Sequence, residues 1–143
     1  MSKSILRKSA KGLPMHYSIG AIIKKDDKYL LIDRAKYPFG FACLAGHVDE
    51  GETKEEALVR EVKEESNLDV TSYKLIDEEE LDFNTCSRGI TVHFFSVYEC
   101  EVKGMVKQDL IESKSIGWYS KDEIKKLKLE LTWEYWFKKM GII

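Results

Sequence analysis

The segment from Gly46 to Leu68 reads GHVDEGETKEEALVREVKEESNL, a polar loop flanked by glycines that runs into an unbroken helical stretch. Thr53 followed three residues later by Glu56 is a capping-box pattern, in which each side chain satisfies a backbone donor of the first helical turn. Lys54 to Ser66 holds neither glycine nor proline, and Asn67 suits the left-handed residue that ends a helix. On such a helix Glu61, Glu64 and Glu65 stand at i, i+3 and i+4, so three carboxylates share one face. Left alone they repel, each like-charged i,i+4 pair costing about 0.2–0.5 kcal/mol. Arg60 offsets part of that repulsion. A hard divalent cation such as Mg²⁺ or Mn²⁺ offsets it better, because these ions prefer oxygen ligands. Three glutamates by themselves, in so charged a chain, are more often a solvated helix face than a metal site. The glycines change that weighting. Gly46 and Gly51 flank His47 to Glu50 just ahead of the helix, where phosphate oxygens can approach backbone closely. A metal-binding helix face and a phosphate-sized loop therefore lie in one continuous segment.

Upstream, His16 to Lys24 is dense in Ile and Ala and reads as a strand. Asp26-Asp27 turns the chain, and Tyr29 to Asp33 returns as a hairpin partner. Tyr37 to Gly40 is a loop, and Phe41 to Leu44 is a short apolar run into Gly46. Downstream, Asp69 to Phe83 is polar and strand-like. Ile90 to Val102 carries Phe94, Phe95, Val97 and Tyr98 and is apolar on both faces, as a central strand requires. Ile116 to Tyr119 is a short strand, Ser120 with Glu123 opens a second capped helix to Leu127, and Thr132 to Met140 is a last helix stopped by Gly141. Strands with interspersed helices give an α/β protein, a mixed central sheet with helices packed on its faces. The chain has two prolines, no repeat and no low-complexity linker, so residues 13–143 read as one domain. Residues 1–12 read as a flexible basic arm.

A chain of 143 residues suits one hydrophobic core. The net charge of −2 argues against strong nucleic-acid binding driven by charge. It leaves a small anionic ligand open, because a bound cation reverses the field locally. Cys43, Cys86 and Cys100 are odd in number and widely spaced, which suggests neither a disulfide framework nor a CxxC metal knuckle. Free thiols fit a reducing cytoplasm. No segment approaches the ~20 apolar residues a membrane span needs, so no membrane partner is expected.

Gly46, Glu52, Arg60-Glu61-Val62, Glu64-Glu65 and Leu68 together resemble the signature of the Nudix hydrolases, which cleave nucleoside diphosphates linked to another moiety. The usual glycine near the end is Asn67 here, the next-best residue for a left-handed cap. The common Gly-Gly upstream is Ala45-Gly46. Six fixed identities at usages of ~5–10% each, tried at about 120 starting points, arise by chance with a probability on the order of 10⁻⁵ to 10⁻⁴. The resemblance implies an α/β/α sandwich and a pyrophosphohydrolase that uses Mg²⁺ or Mn²⁺. It implies Glu65 as a principal metal ligand, with Glu61 and Glu64 beside it and the Ala45 carbonyl completing the shell. Glu64 is also counted with the catalytic carboxylates, which Arg60 and Glu52 are implied to orient. Many family members place a functional glutamate in the loop after the long strand, six residues before a tryptophan. Glu112 stands six residues before Trp118, with Asp109 as its close competitor.

Gly46, His47 and Arg34 are candidate phosphate contacts, weighed against a plain loop histidine and a surface ion pair. For His93 a hydrogen-bonded core histidine is the better expectation. Tyr37, Phe39 and Phe41 can stack on a base or pack on the sheet. Trp133, Tyr135, Trp136 and Phe137 crowd the last helix, where core packing is favoured over a ligand platform and a homodimer contact is a second use. The expected partner is a small nucleotide, either a nucleoside triphosphate or a nucleotide sugar. Phe83 to Cys86 lacks the proline and the tyrosine that mark family members acting on ADP-ribose or dinucleoside polyphosphates. Two competing readings share the fold. One is a catalytically silent nucleotide-binding module, which an eroded carboxylate set would favour. The other is an isopentenyl diphosphate isomerase, which the near-complete box argues against.

Overall fold

Asp26 and Asp27 both adopt positive φ, 51° and 61°, in the two-residue turn that joins β2 (Pro14–Lys25) to β3 (Lys28–Arg34). That backbone matches the right-handed twist of the strands it joins. The computed structural model describes residues 4–143. In it β2 is the central strand, buried along most of its length. It pairs antiparallel with β5 (Leu44–His47) and parallel with β7 (Val92–Lys103), from Met15↔Val92 to Ile23↔Cys100. β7 pairs in turn with β6 (Asp69–Leu81). β3 pairs with β4 (Phe41–Ala42) and β8 (Ser113–Ser120), both antiparallel. The sheet is therefore mixed, as expected.

Side-chain alternation along the strands feeds two separate cores. Ile19, Ala21, Ile23, Leu30 and Ile32 pack with Ala57, Leu58 and Val62 of α1 (Lys54–Ser66). Ile22, Tyr29 and Leu31 belong to the opposite face. There they meet Ile124 of α2 (Lys121–Ile124) and Trp133, Trp136 and Phe137 of α3 (Leu131–Lys139). Each large side chain fully buried this way stabilises the fold by roughly 1.5–3 kcal/mol. The result is the expected α/β/α sandwich. Gly20 sits mid-strand because a Cβ there would lie 2.5 Å from the Trp133 ring and 2.8 Å from Phe95.

Several expectations change. Leu6–Lys8 is not a flexible arm but strand β1, paired antiparallel with His16, Met15 and Pro14 of β2. β5 covers β2 only at Ser18–Ala21, so the start of β2 offers unpaired backbone that an extended segment satisfies. The first three residues of that arm lie outside the described residues. β8 begins at Ser113 rather than Ile116, through a bulge that lets Arg34 pair with Ser113. The helix after Ser120 is a single turn, continued by reverse turns to Leu127. Trp133, Trp136 and Phe137 are at most 1% exposed, so these rings are core, the use favoured for them. Among the described residues, no helix is long and apolar enough to cross a membrane.

Candidate active site

Both ends of α1 are fixed as the sequence predicts. Thr53 Oγ1 accepts the Glu56 N–H, and the Glu56 carboxylate accepts the Thr53 N–H at 2.9 Å. Asn67 takes φ 68° and donates its N–H to the Lys63 carbonyl. The buried stripe of this helix runs Ala57, Leu58, Val62 and then Glu65, so a carboxylate occupies a core position and is only 6% exposed. Glu65 Oε1 accepts the Ala45 N–H at 3.0 Å. Glu61 lies one turn back against β5. A Cβ on Gly46 would fall 2.1 Å from Glu61 Cδ, so Gly46 makes room for a carboxylate. That use is additional to the phosphate approach expected of it. Glu64 stands at the rim with 56% of its side chain exposed.

Arg60 ties these groups together. Its Nε and Nη2 donate to both oxygens of Glu52, at 3.1 and 2.7 Å. Its Nη1 donates to Glu61 at 2.8 Å and to Glu64 at 3.3 Å, and Nη2 also reaches the His47 carbonyl at 3.0 Å. Asp49, not singled out in the sequence, completes the ring at 3.5 Å from Nη2. Glu52 additionally accepts the Asp49 N–H at 2.8 Å. A planar guanidinium with five donors suits this arrangement, and a lysine could not reproduce it.

Burial pushes the Glu61 carboxyl up to about 7, against the pull of Arg60. Burial also raises Glu65 well above the ordinary carboxylate range, with Glu61 adding repulsion. Glu52 moves the other way, held down by the Arg60 hydrogen bonds. Buried Glu65 and the largely sheltered Glu61, beside Glu64 at the rim, form an oxygen donor set that a hard divalent cation fits.

All three glutamates line one cavity of about 590 Å³, shared with Gly46, His47, Arg34, Lys36, Asp49, Asp109 and Glu112. Arg34 donates Nε to the Pro38 carbonyl at 2.6 Å, and its charge lowers the Glu65 pKa, so it faces the site instead of forming a surface ion pair. Glu112 meets Lys36 Nζ at 2.9 Å. Asp109 Oδ1 is engaged in its own loop, accepting the N–H groups of Ile111 at 2.9 Å and Glu112 at 3.4 Å. Ala45 meets Glu65 through its amide. His47 is no loop histidine: it ends β5, its ring stacked on His93 at 5.6 Å with an interplanar angle of 3°. His93 is a core histidine as expected, hydrogen-bonded to the Thr91 backbone, but among the described residues its Nε2 has no hydrogen-bond partner. Tyr37 and Phe39 are exposed at 53% and 58%, while Phe41 packs edge-on against Tyr119. Lys36, Asn84 and Arg88 also line the cavity and were not anticipated. Their positions follow from loop paths, for which the sequence holds no periodic signal.

The NUDIX domain model matches residues 14–139. The NAD-capped RNA hydrolase NudC of Photorhabdus laumondii is 33% identical over 103 residues, which are 71% of this chain and 38% of that protein. The ADP-ribose pyrophosphatase of Methanocaldococcus jannaschii is 53% identical over 53 residues, 36% of this chain and 31% of that one. The chain thus spans less than two fifths of the length of these curated relatives. Among solved structures, the MutT NUDIX hydrolase from Burkholderia pseudomallei has a TM-score of 0.68 at 24% identity, over 76% of this chain and 85% of that one. The NUDIX domain of Shewanella oneidensis NrtR, complexed with ADP ribose, has a TM-score of 0.71 at 15% identity, over 89% and 86%. At these identities the two structures speak to fold alone. The sequence matches span the strands and helices that carry the carboxylate face, and the chain belongs to the Nudix family.

Proposed function

We propose that the protein hydrolyses a phosphoanhydride bond in a nucleoside diphosphate linked to another moiety, with a divalent metal bound at the carboxylate face of α1. The observation that carries this reading is the burial of Glu65, with Glu61 beside it, at the wall of a cavity large enough for a nucleotide. Burying two mutually repelling carboxylates is costly unless a cation accompanies them. Glu61, Glu64, Glu65 and the Ala45 carbonyl would hold Mg²⁺ or Mn²⁺. Such an ion, when bound, supplies charge neutralisation at phosphate and lowers the pKa of a coordinated water.

The remaining roles fall to the chain's own side chains. Arg60, clamped by Glu52, is a positioning residue that sets the rotamers of Glu61 and Glu64. Arg34, Lys36 and the backbone at Gly46 and His47 face the phosphate oxygens. Glu112 takes the proton of the attacking water. Asp109 is the weaker candidate for that step because its Oδ1 is committed to two backbone N–H groups of the loop turn, whereas Glu112 pairs with Lys36, a side chain of the cavity itself.

Product analysis by chromatography, with Mg²⁺ and across a nucleotide panel, tests the reading. The panel holds nucleoside triphosphates and nucleotide sugars, and adds ADP-ribose and NAD-capped RNA because relatives are named for acting on them. Release of a nucleotide cleaved at the anhydride is expected. Full turnover after exhaustive EDTA treatment would remove the metal role. Tight binding of a nucleotide without cleavage of any would favour the silent binding module.

A further inference from the structure

A second set of metal-ligating side chains converges in the same part of the molecule. His16 of β2 and His93 of β7 are direct partners in the parallel pair, and His47 ends β5 on the other side of β2. The His16 and His47 ring centroids are 4.5 Å apart, and those of His16 and His93 are 5.9 Å apart. Cys86 arrives from the loop between β6 and β7, its Sγ 3.9 Å from His16 Nδ1. That loop is tied by two backbone bonds, Cys86 N–H to the Ile90 carbonyl and Gly89 N–H to the Cys86 carbonyl, both 2.9 Å. One donor atom from each of the four residues lies within 4.8 Å of every other. His93 is only 9% exposed, yet among the described residues its Nε2 has no hydrogen-bond partner. Buried polar atoms in folded proteins are nearly always satisfied, so an orphaned ring nitrogen among other ligating groups points to an absent ligand.

The chemistry of the set indicates the ligand. His16 and His93 are only 5% and 9% exposed, and imidazole rings sheltered from water favour their neutral form. Neutral rings are poor partners for an anion and good ones for a transition metal. Three nitrogens and one sulfur are a borderline-soft donor set, unlike the oxygens of Glu61, Glu64 and Glu65, and they select against Mg²⁺. The Arg88 charge opposes a cation here, and the Cys86 thiolate formed on binding offsets it.

We propose that His16, His47, His93 and Cys86 form a four-coordinate site for a borderline-soft divalent ion, Zn²⁺ above others, distinct from the carboxylate site of α1. Zinc–nitrogen bonds of ~2.0–2.1 Å and a zinc–sulfur bond of ~2.3 Å place tetrahedral donors about 3.3–3.7 Å apart. Small rotamer adjustments bring the present donors to that spacing. Four protein ligands leave no open position, so the ion acts as a structural clamp. Binding expels the Cys86 thiol proton to solvent and pins the loop that carries Asn84, Ser87 and Arg88, which line the cavity. The clamp thereby sets the shape of one cavity wall.

The test uses the full chain, stripped of metal, titrated with Co²⁺ and then with Zn²⁺ in competition. One equivalent of Co²⁺ is expected to give thiolate-to-metal charge-transfer absorption and the intense visible bands of a four-coordinate site, displaced by Zn²⁺. Glu65→Gln is expected to keep this spectrum. Cys86→Ser, a near-isosteric change at a half-buried loop position, is expected to lose it and to bind Zn²⁺ at least ~100-fold more weakly, the upper end of what losing even a supporting partner costs. Zn²⁺ is expected to raise the melting temperature of the parent by several degrees and to leave that of Cys86→Ser unmoved. Absence of the charge-transfer band in the parent overturns the proposal, as does its survival in Cys86→Ser. Loss of the band in Glu65→Gln overturns it too, by assigning the ion to the carboxylate face.

Discussion

At one end of the cavity a single guanidinium holds carboxylates apart and in register; near its other lining residues His47, Cys86 and His93, which His16 joins, three imidazoles and a thiol are gathered by strand pairing and burial. The carboxylate end comes from one helix and the strand beside it. Its geometry follows from a 3.6-residue period, so Glu61, Glu64 and Glu65 share a face however the rest of the chain folds. The histidine end has no such generator. His16, His47 and His93 meet only because β2 pairs with both β5 and β7 in one particular register. A one-residue slip in either pairing would send a ring to the opposite face. Charge organises the first cluster, and register organises the second.

The sharpest way to break the contrast is Glu65→Gln. The amide keeps the shape and can still accept the Ala45 N–H, but it removes one ligand charge from a position that is 6% exposed. A fall of at least ~100-fold in kcat is expected, on the scale seen when metal-site partners are lost, or beyond it. The metal-free variant should melt no lower than the parent, because an uncompensated buried carboxylate has been neutralised. Parent-like kcat would end the metal-ligand role of Glu65.

Next in size comes the choice between Glu112 and Asp109. A positioned general base contributes ~10²–10⁴-fold, and Glu112→Gln is expected to lose about 100-fold in kcat. Asp109→Asn should cost less, because an amide oxygen can still accept the Ile111 N–H that holds the turn. If Asp109→Asn is the variant that loses rate, the base is the other carboxylate of the same loop.

These two cases mark how far the sequence was legible. Glu65 was readable because helix capping at Thr53 and Asn67, the glycine at 46 and the carboxylate spacing all lie within one segment of local rules. The sheet was readable from the Ile- and Ala-dense run, the Asp-Asp turn and the hairpin partner in residues 16–33, and from the doubly apolar run at 90–102. Glu112 was reached only through a family resemblance, and the structure brings it to the cavity by the Glu112 carbonyl accepting the Ala35 N–H at 3.0 Å. Asp49 and Lys36 were missed because an ion pair across a loop leaves no period. Strand β1 was missed because Leu6–Lys8 has no apolar alternation; it forms to satisfy the backbone edge of β2, not to bury side chains. His16 and Cys86 lie 70 residues apart, and only the sheet register and a loop path join them.

Gly46→Ala is expected to have a smaller effect, a loss of about 10- to 100-fold in kcat. The added Cβ falls within 2.6 Å of both Glu61 carboxylate oxygens, so the side chain must swing away. Misplacing a reacting or ligating group by an ångström costs up to ~10²-fold. The loss should appear in kcat and in the apparent Mg²⁺ affinity more than in KM for the nucleotide. A change confined to KM would mean that Gly46 serves phosphate approach, as the sequence first suggested, and not the placement of Glu61.

The smallest expected effect concerns stability, and it isolates the charge-organised end. Arg60 holds both oxygens of Glu52 and keeps that carboxyl below its ordinary value of 4.5. A carboxylate whose folded pKa is depressed adds stability that is present above its unfolded pKa and lost as the pH falls through the folded value. Glu52→Gln removes this contribution while keeping an acceptor for the Asp49 N–H. Both side chains are largely sheltered, 28% exposed for Arg60 and 18% for Glu52, so solvent screens the pair only in part. A charge-assisted pair of this kind is worth ~1–2 kcal/mol, and ~1 kcal/mol in a domain of this size moves the melting temperature by about 2–4 °C. The gap between parent and Glu52→Gln should therefore be a few degrees at neutral pH, constant down to about pH 5, and should close as the pH drops below about 4. Melting curves taken at half-unit steps of pH in one ionic strength check this directly. A gap that persists undiminished to the lowest folded pH would mean that Glu52 stabilises the loop through the Asp49 N–H and its shape, and that the guanidinium does not hold the carboxylate end together by charge.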